Sequence, residues 1–166
     1  MNDSWLVEDR ATAALCGGTI RLTIRTRRMD VYTSSAPSSR KEPSHEVVYE
    51  SEGCREIVAS VDELRRIVER RACDVVANVE RAPEAFALIV ASLLRRSRVI
   101  VVPDLYDFLD PLFDMSAADS VPRVVDRSLV FTLVSPSRLE PGHAVDRVRV
   151  DLDTFVVTDV PVVLRA

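Results

Sequence analysis

The apolar residues change their spacing twice along this chain, and that change constrains the fold more than any other feature. In Thr19-Ile20-Arg21-Leu22-Thr23-Ile24-Arg25-Thr26 the apolar side chains alternate with polar ones, as in a strand with one buried face. From Ser60 the spacing becomes helical, with Val61, Leu64, Val68 and Ala72 on one face and Arg65, Arg66, Glu69 and Arg70 on the other. Strand-like segments return after Arg123, in Leu129 to Val134, Val145 to Leu152 with alternating Val148, Val150 and Leu152, and Phe155 to Leu164. A chain that must bury sheet faces at both ends and helix faces in the middle is read as α+β.

The local signals agree with that division. Ser60-Val61-Asp62-Glu63 is a capping box, with Ala59 and Leu64 spaced as a hydrophobic staple. Pro83 suits the first turn of another helix, with Phe86, Ile89, Val90, Leu93 and Leu94 as its apolar face and an end near Arg96. Between these helices, Val75 and Val79 of Asp74–Val79 continue the first helix's stripe, but the crowded β-branched residues favour a strand. Glu46 to Glu50 reads as a short strand, and Val99 to Val102 as a buried strand or the extended end of the second helix. The stretch 33–45, rich in Ser, Pro and charge, reads as a mobile loop.

Composition removes several function classes. The chain has 166 residues, 47% hydrophobic, with a formal charge of −4. Its first ten residues contain Asp3, Glu8 and Asp9 where a secretory signal would be basic then apolar, and no run is long enough to span a bilayer. Cys16, Cys54 and Cys73 are odd in number and far apart, so no disulfide framework or zinc site is expected, and cytosol or nucleus is the expected location. Net acidity and few aromatics argue against nucleic acid, leaving the arginine pairs Arg65/Arg66, Arg70/Arg71 and Arg95/Arg96 as solvated helix surface. Only Lys41 is lysine, against 21 arginines, which fits either GC-rich codons or avoidance of lysine's acceptor amine.

Few residues point to catalysis. The single lysine excludes a P-loop, no third glycine extends Gly17-Gly18 into a dinucleotide fingerprint, and hydrolase and zincin signatures are absent, so no cofactor is expected. A thiol nucleophile would pair Cys54 with His45 or His143, although buried structural roles suit cysteine better. Glu80 and Asp104 each follow a candidate parallel strand, where α/β enzymes hold metal-bound carboxylates, which gives the alternative reading of metal-dependent phosphoryl transfer or hydrolysis.

The most unusual segment runs from Pro103 to Met115. Leu105, Phe108, Leu109, Leu112 and Phe113 share one helical face beside Tyr106, with Asp104, Asp107 and Asp114 largely opposite, and Asp110-Pro111 interrupts the helix. A broken apolar stripe with acidic flanks suits either an ordinary core helix or a docking surface for a protein with a basic or apolar groove.

Gly17-Gly18-Thr19-Ile20 is similar to the turn that opens potassium-channel tetramerisation domains. Val79 to Phe86 with Ile89, Val90, Leu93 and Leu94 is similar to the third strand and following helix of the BTB/POZ superfamily, which includes Skp-type and elongin C adaptors. The resemblance covers about residues 15–121, after an N-terminal segment 1–14 and before a β-rich extension 122–166 packed on it. It implies a BTB/POZ-like mixed sheet with helices, no catalysis, and an adaptor module acting by self-association or partner docking, as in ubiquitin-ligase assemblies. The expected partners are therefore proteins, including a second copy of the chain, and lysine scarcity would limit ubiquitin acceptors there.

Overall fold

The computed structural model describes residues 5–27, 44–94, 99–100, 121–134 and 145–162. Its first sheet is a meander of β1 (Trp5–Leu15), β2 (Gly18–Arg27), β3 (Ser44–Ser51) and β4 (Cys54–Val58) in that order. Three helices follow: α1 (Val61–Arg71), α2 (Val75–Arg81) and α3 (Pro83–Leu93). The second sheet holds β5 (Val99–Ile100), β6 (Arg123–Val125), β7 (Ser128–Val134), β8 (Val145–Asp151) and β9 (Val157–Val162). β5 and β6 share one side of β7, and β8 and β9 follow on the other. The architecture is α+β, and every strand pair among the described residues is antiparallel, where a mixed sheet is the expectation from the resemblance.

Cross-strand register builds the inner face of the first sheet in rows. Ala11, Leu22, Val47 and Val58 are successive partners, as are Ala13, Ile20 and Tyr49, and all seven are buried. Leu129, Phe131, Leu133, Val148 and Val150 form the matching face of the second sheet. Between the two lies α3, packed on β1, β2 and β3 and also on β5, β6 and β7. Phe86, Ala87, Ile89, Val90, Ala91 and Leu93 are all buried, so the buried surface is wider than one stripe, and the side of Glu84, Ala85, Leu88 and Ser92 is short of burial. Burying each of Phe86, Ile89, Val90 and Leu93 contributes about 1.5–3 kcal/mol, and one continuous cluster runs from Ala11 to Phe155.

The capping box forms, with a shifted second arm. The Glu63 backbone N–H donates to Ser60 Oγ at 3.2 Å, while the Glu63 carboxylate accepts from the Ala59 N–H at 2.6 Å, one residue before the cap. Ala59 is exposed, so it does not serve as the expected staple. Ala72 also leaves the expected buried face: it is exposed and ends α1 in the left-handed region, at φ 48°.

Asp74–Val79 is helix, which corrects the strand reading. Asp74 accepts from the Ala77 N–H at 3.4 Å, and Asn78 Nδ2 donates to the Asp74 carbonyl at 2.7 Å, so a new cap starts α2. With Val75, Val76 and Val79 buried, tertiary packing outweighs the modest cost of β-branched residues in a helix. A single residue, Ala82, ends α2 and precedes Pro83, which opens α3 as expected. The helix stops at Leu93, before Arg96.

The turn before β2 centres on Cys16-Gly17, at φ 49° and 77°, and not on Gly17-Gly18. Gly18 serves a different purpose. A Cβ there would lie 2.4 Å from the Glu50 carbonyl oxygen and 2.7 Å from Tyr49 Oη. That hydroxyl donates toward the carbonyls of Leu15 (3.0 Å) and Cys16 (3.3 Å), fastening the turn from below. The cysteine expectation is also corrected: Cys16 and Cys73 form a disulfide, with Cα atoms 5.2 Å apart. Their 57-residue separation says nothing of distance once β1 folds over the helices, and the case for a reducing compartment loses its premise. Among the described residues no helix is long and apolar enough to cross a membrane.

Gly18→Ala is expected to lower unfolding free energy by about 2–3 kcal/mol in a urea titration, because the obstacle at 2.4 Å is backbone. Gly17→Ala, with open space around its Cβ, is expected to cost about 1 kcal/mol from its left-handed φ alone.

Candidate functional site

The sequence-derived candidates fall in three places. Leu105, Tyr106, Phe108, Leu109, Leu112 and Phe113, with Asp104, Asp107 and Asp114, lie outside the described residues. Glu80 follows no strand; it is exposed in the last turn of α2. No group of three or more His, Cys, Asp or Glu side chains among the described residues is placed to hold a metal ion. Cys54 and His45 are not brought together. Cys54 pairs with Ser51 at one end of β3, and His45 stands six residues earlier, about 20 Å along the strand. His45 Nδ1 is instead 3.3 Å from Ser92 Oγ of α3.

The arginine pairs on α1 are neutralised in place. Arg65 donates to Asp62 at 2.6 Å and to Glu69 at 3.1 Å, and Arg66 lies 3.1 Å from Asp62. The Arg65 hydrogen bond holds the Asp62 carboxyl below its usual range. Arg70 reaches Glu56 of β4 at 2.6 Å, while Arg71 donates to Ser51 and lies over the Tyr49 ring at 5.6 Å. These contacts use the cations to seat α1 on the β3–β4 hairpin, which leaves no unbroken basic stripe on this helix.

In the second sheet, the β8–β9 connection is ordered by carboxylates. Asp151 Oδ1 accepts from the N–H groups of Asp153 (2.8 Å) and Thr154 (3.0 Å), with Phe155 turning back at φ 59°. The backbone donors of Thr154 and Asp153 lower the Asp151 pKa. Arg127 donates to Asp153 from Nε (3.0 Å to Oδ2 and 3.2 Å to Oδ1) and from Nη2 (2.7 Å to Oδ1), and the first cause of the lowered Asp153 pKa is that guanidinium. Each acid already has a structural partner, so the loop reads as a turn lock.

What remains is the distribution of exposed aliphatic surface. The large exposed hydrophobics among the described residues are Leu6 and Val7 (53% each), Ile57 (68%), Val156 (61%) and Val160 (53%). All lie on β1, β4 and β9, or immediately before β9, and these strands have a described neighbour on one side only. Short length limits β4, and Pro161, which has no N–H to offer, interrupts the open side of β9.

β1 differs. Its register shifts between Asp9 and Ala11, leaving Arg10 as the extra residue of a bulge. After the bulge Ala11, Ala13 and Leu15 enter the core, whereas before it Leu6, Val7, Glu8, Asp9 and Arg10 are all exposed. This first half is held to β2 by Asp9, which accepts from Thr23 Oγ1 at 3.2 Å and lies 3.8 Å from Arg21 Nε. On sequence alone 1–14 is an N-terminal segment. Alanine and acidic residues give little strand propensity; the usable signal was the alternation of Ala11, Ala13 and Leu15.

No protein-family model, curated protein or solved structure matches the chain.

The β8–β9 lock carries a definite pH dependence. Because Asp151 and Asp153 have lowered pKa values when folded, their stabilisation is present above the ordinary value of 3.8 and is lost as pH falls through the folded value. Melting temperatures are therefore expected to begin to fall below about pH 4. Asp151→Asn should melt lower at pH 7 and lose less on acidification, and an acid loss equal to that of the parent would contradict the assignment.

Proposed function

We propose that this chain is a non-catalytic protein-interaction module that assembles through exposed sheet-edge surface, with the first half of β1 as the principal contact. The observation that carries the reading is the placement of Leu6 and Val7 on a strand segment beyond the bulge, where the core no longer covers either face. An edge strand with exposed aliphatic side chains pairs readily with another chain, main-chain bonds supplying affinity and alternate side chains specificity. Ile57, Val156 and Val160 give the remaining edges weaker versions of the same property.

The BTB/POZ resemblance of Gly17 to Ile20 and of Val79 to Leu94 supports the same class of function, assembly without catalysis, and extends it to adaptor roles in ubiquitin-ligase complexes. The stripe of Leu105, Phe108, Leu109, Leu112 and Phe113 enters the proposal as a second contact, for a partner with a basic or apolar groove that meets Asp104, Asp107 and Asp114. Cytosol or nucleus is the location that such an adaptor role suits.

A second copy of the chain is the occupant that can be tested directly. Light scattering on the eluting full chain is expected to give a mass that rises above 18.5 kDa with concentration. Leu6→Asp combined with Val7→Asp is expected to return it to 18.5 kDa while moving the melting temperature by no more than about 2 °C, as exposed positions allow. A mass of 18.5 kDa at every concentration of the parent protein would overturn self-assembly through this edge.

A further inference from the structure

Three cysteines gather at one end of the first sheet. Cys16 lies in the β1–β2 turn, Cys54 opens β4 beside the β3–β4 turn, and Cys73 follows α1. The two turns share an end because Thr19 of β2 pairs with Glu50 of β3. Cys16 and Cys73 are bonded to each other and half-buried, and Cys54 is a free, exposed thiol.

Beside the apolar packing of Leu15 with Leu64, Val68, Val75 and Val79, the polar ties between this corner and the helices run through exposed guanidinium groups. Arg71 reaches Ser51 and the face of Tyr49, and Arg70 reaches Glu56. Contacts of this kind hold weakly in water. The turn itself does not need the disulfide, since Leu15 pairs with Gly18 and Tyr49 Oη binds the Leu15 and Cys16 carbonyls. The junction of α1 and α2 is in the opposite position. Ala72 is exposed in a left-handed conformation, α2 is only seven residues long, and the covalent link falls between them.

We infer that the Cys16–Cys73 disulfide is a redox-sensitive clamp that fixes the α1–α2 junction to the β1–β2 turn and releases that junction when a dithiol reduces it. One thiolate of the dithiol attacks a sulfur of the pair, forming a mixed disulfide and expelling the other cysteine as a thiolate, which takes up a proton. The second thiol of the dithiol then displaces the remaining cysteine and closes a disulfide of its own. The dithiol is oxidised by two electrons, Cys16 and Cys73 become thiols, and two protons pass from the dithiol to them. Half-exposure gives the attacking thiolate access to the pair.

The test uses the full chain purified in air without added thiol or disulfide, then treated with or without dithiothreitol. Before reduction, iodoacetamide applied to the denatured protein is expected to label Cys54 alone; afterwards it labels all three. Reduction should lower the melting temperature by about 10 °C, given a closed loop of this length. It should also speed amide exchange across 69–80 while leaving β2 and β3 unchanged. Cys54→Ser should respond as the parent does, and Cys73→Ser should start at the reduced melting temperature and ignore the dithiol. Labelling of all three cysteines before reduction would overturn the clamp. So would a reduction that alters neither melting nor exchange, or a response lost in Cys54→Ser. The parent measurements decide the matter even if Cys73→Ser does not fold.

Discussion

A helix buried over more than half of its circumference cannot be an ornament on a sheet, and α3 is such a helix, with the side of Glu84, Ala85, Leu88 and Ser92 short of burial. Phe86, Ala87, Ile89, Val90, Ala91 and Leu93 are buried, and Glu84 is its only charged residue. It is stable only if apolar surface meets it from two directions, which the inner faces of the two sheets supply. The small residues follow from the same constraint. Ala11 and Ala13 on β1, with Ala87 and Ala91 on α3, let strand and helix approach closely where larger side chains would hold them apart. The apolar gap where α1, α2 and α3 converge, bounded by Leu64, Val79, Phe86, Leu129, Val150 and Phe155, belongs to this shared core, and no polar atom lines it.

Consuming both inner faces in one core determines what is left for function. Recognition falls to the outer faces, the loops and the strand edges. The outer face of the first sheet is closed to apolar docking over much of its area, because Arg55 lies 3.8 Å from Glu46 and 3.7 Å from Glu50 around the buried Val48. The edges are less uniform. The bulge at Arg10 divides β1 into a half that serves the core and a half that does not, and in the latter, the first half of the strand, Leu6 and Val7 are exposed with no described strand on their outer edge. A core complete without a segment, next to a segment incomplete without a partner, is the physical content of the assembly reading.

The parts of this fold that were legible in the sequence are those where a local signal and the tertiary environment agree. Ile20 and Leu22 alternate with polar residues and face the core; Ser60 and Glu63 cap a helix; Pro83 opens one. The alternating Val148 and Val150 likewise lie in a strand with one face on the core. Where distant contacts decide, the sequence was silent or misleading. Val75, Val76 and Val79 carry strand propensity, yet an Asp74 cap and burial against the other helices and strands make them helical. β1 is strand because α3 needs a small-residue surface, a requirement invisible in Ala11-Thr12-Ala13 itself. The Cys16–Cys73 pair could not be read from a separation of 57 residues, since proximity depends on a hairpin turn and a helix end meeting. Of the candidate site, the residues of β1 were missed because exposed aliphatic side chains look the same in sequence as buried ones.

Hydrogen exchange followed by mass spectrometry at two protein concentrations tests the central claim most directly, because it reports where chains meet and not merely that they meet. The account expects the amides of 5–10 that point away from β2 to exchange freely in dilute solution and to gain protection at high concentration, while β2, β7 and β8 keep the same slow rates at both. Concentration-independent exchange across 5–10, in a protein whose mass nonetheless rises, would place the contact elsewhere and contradict the role given to β1.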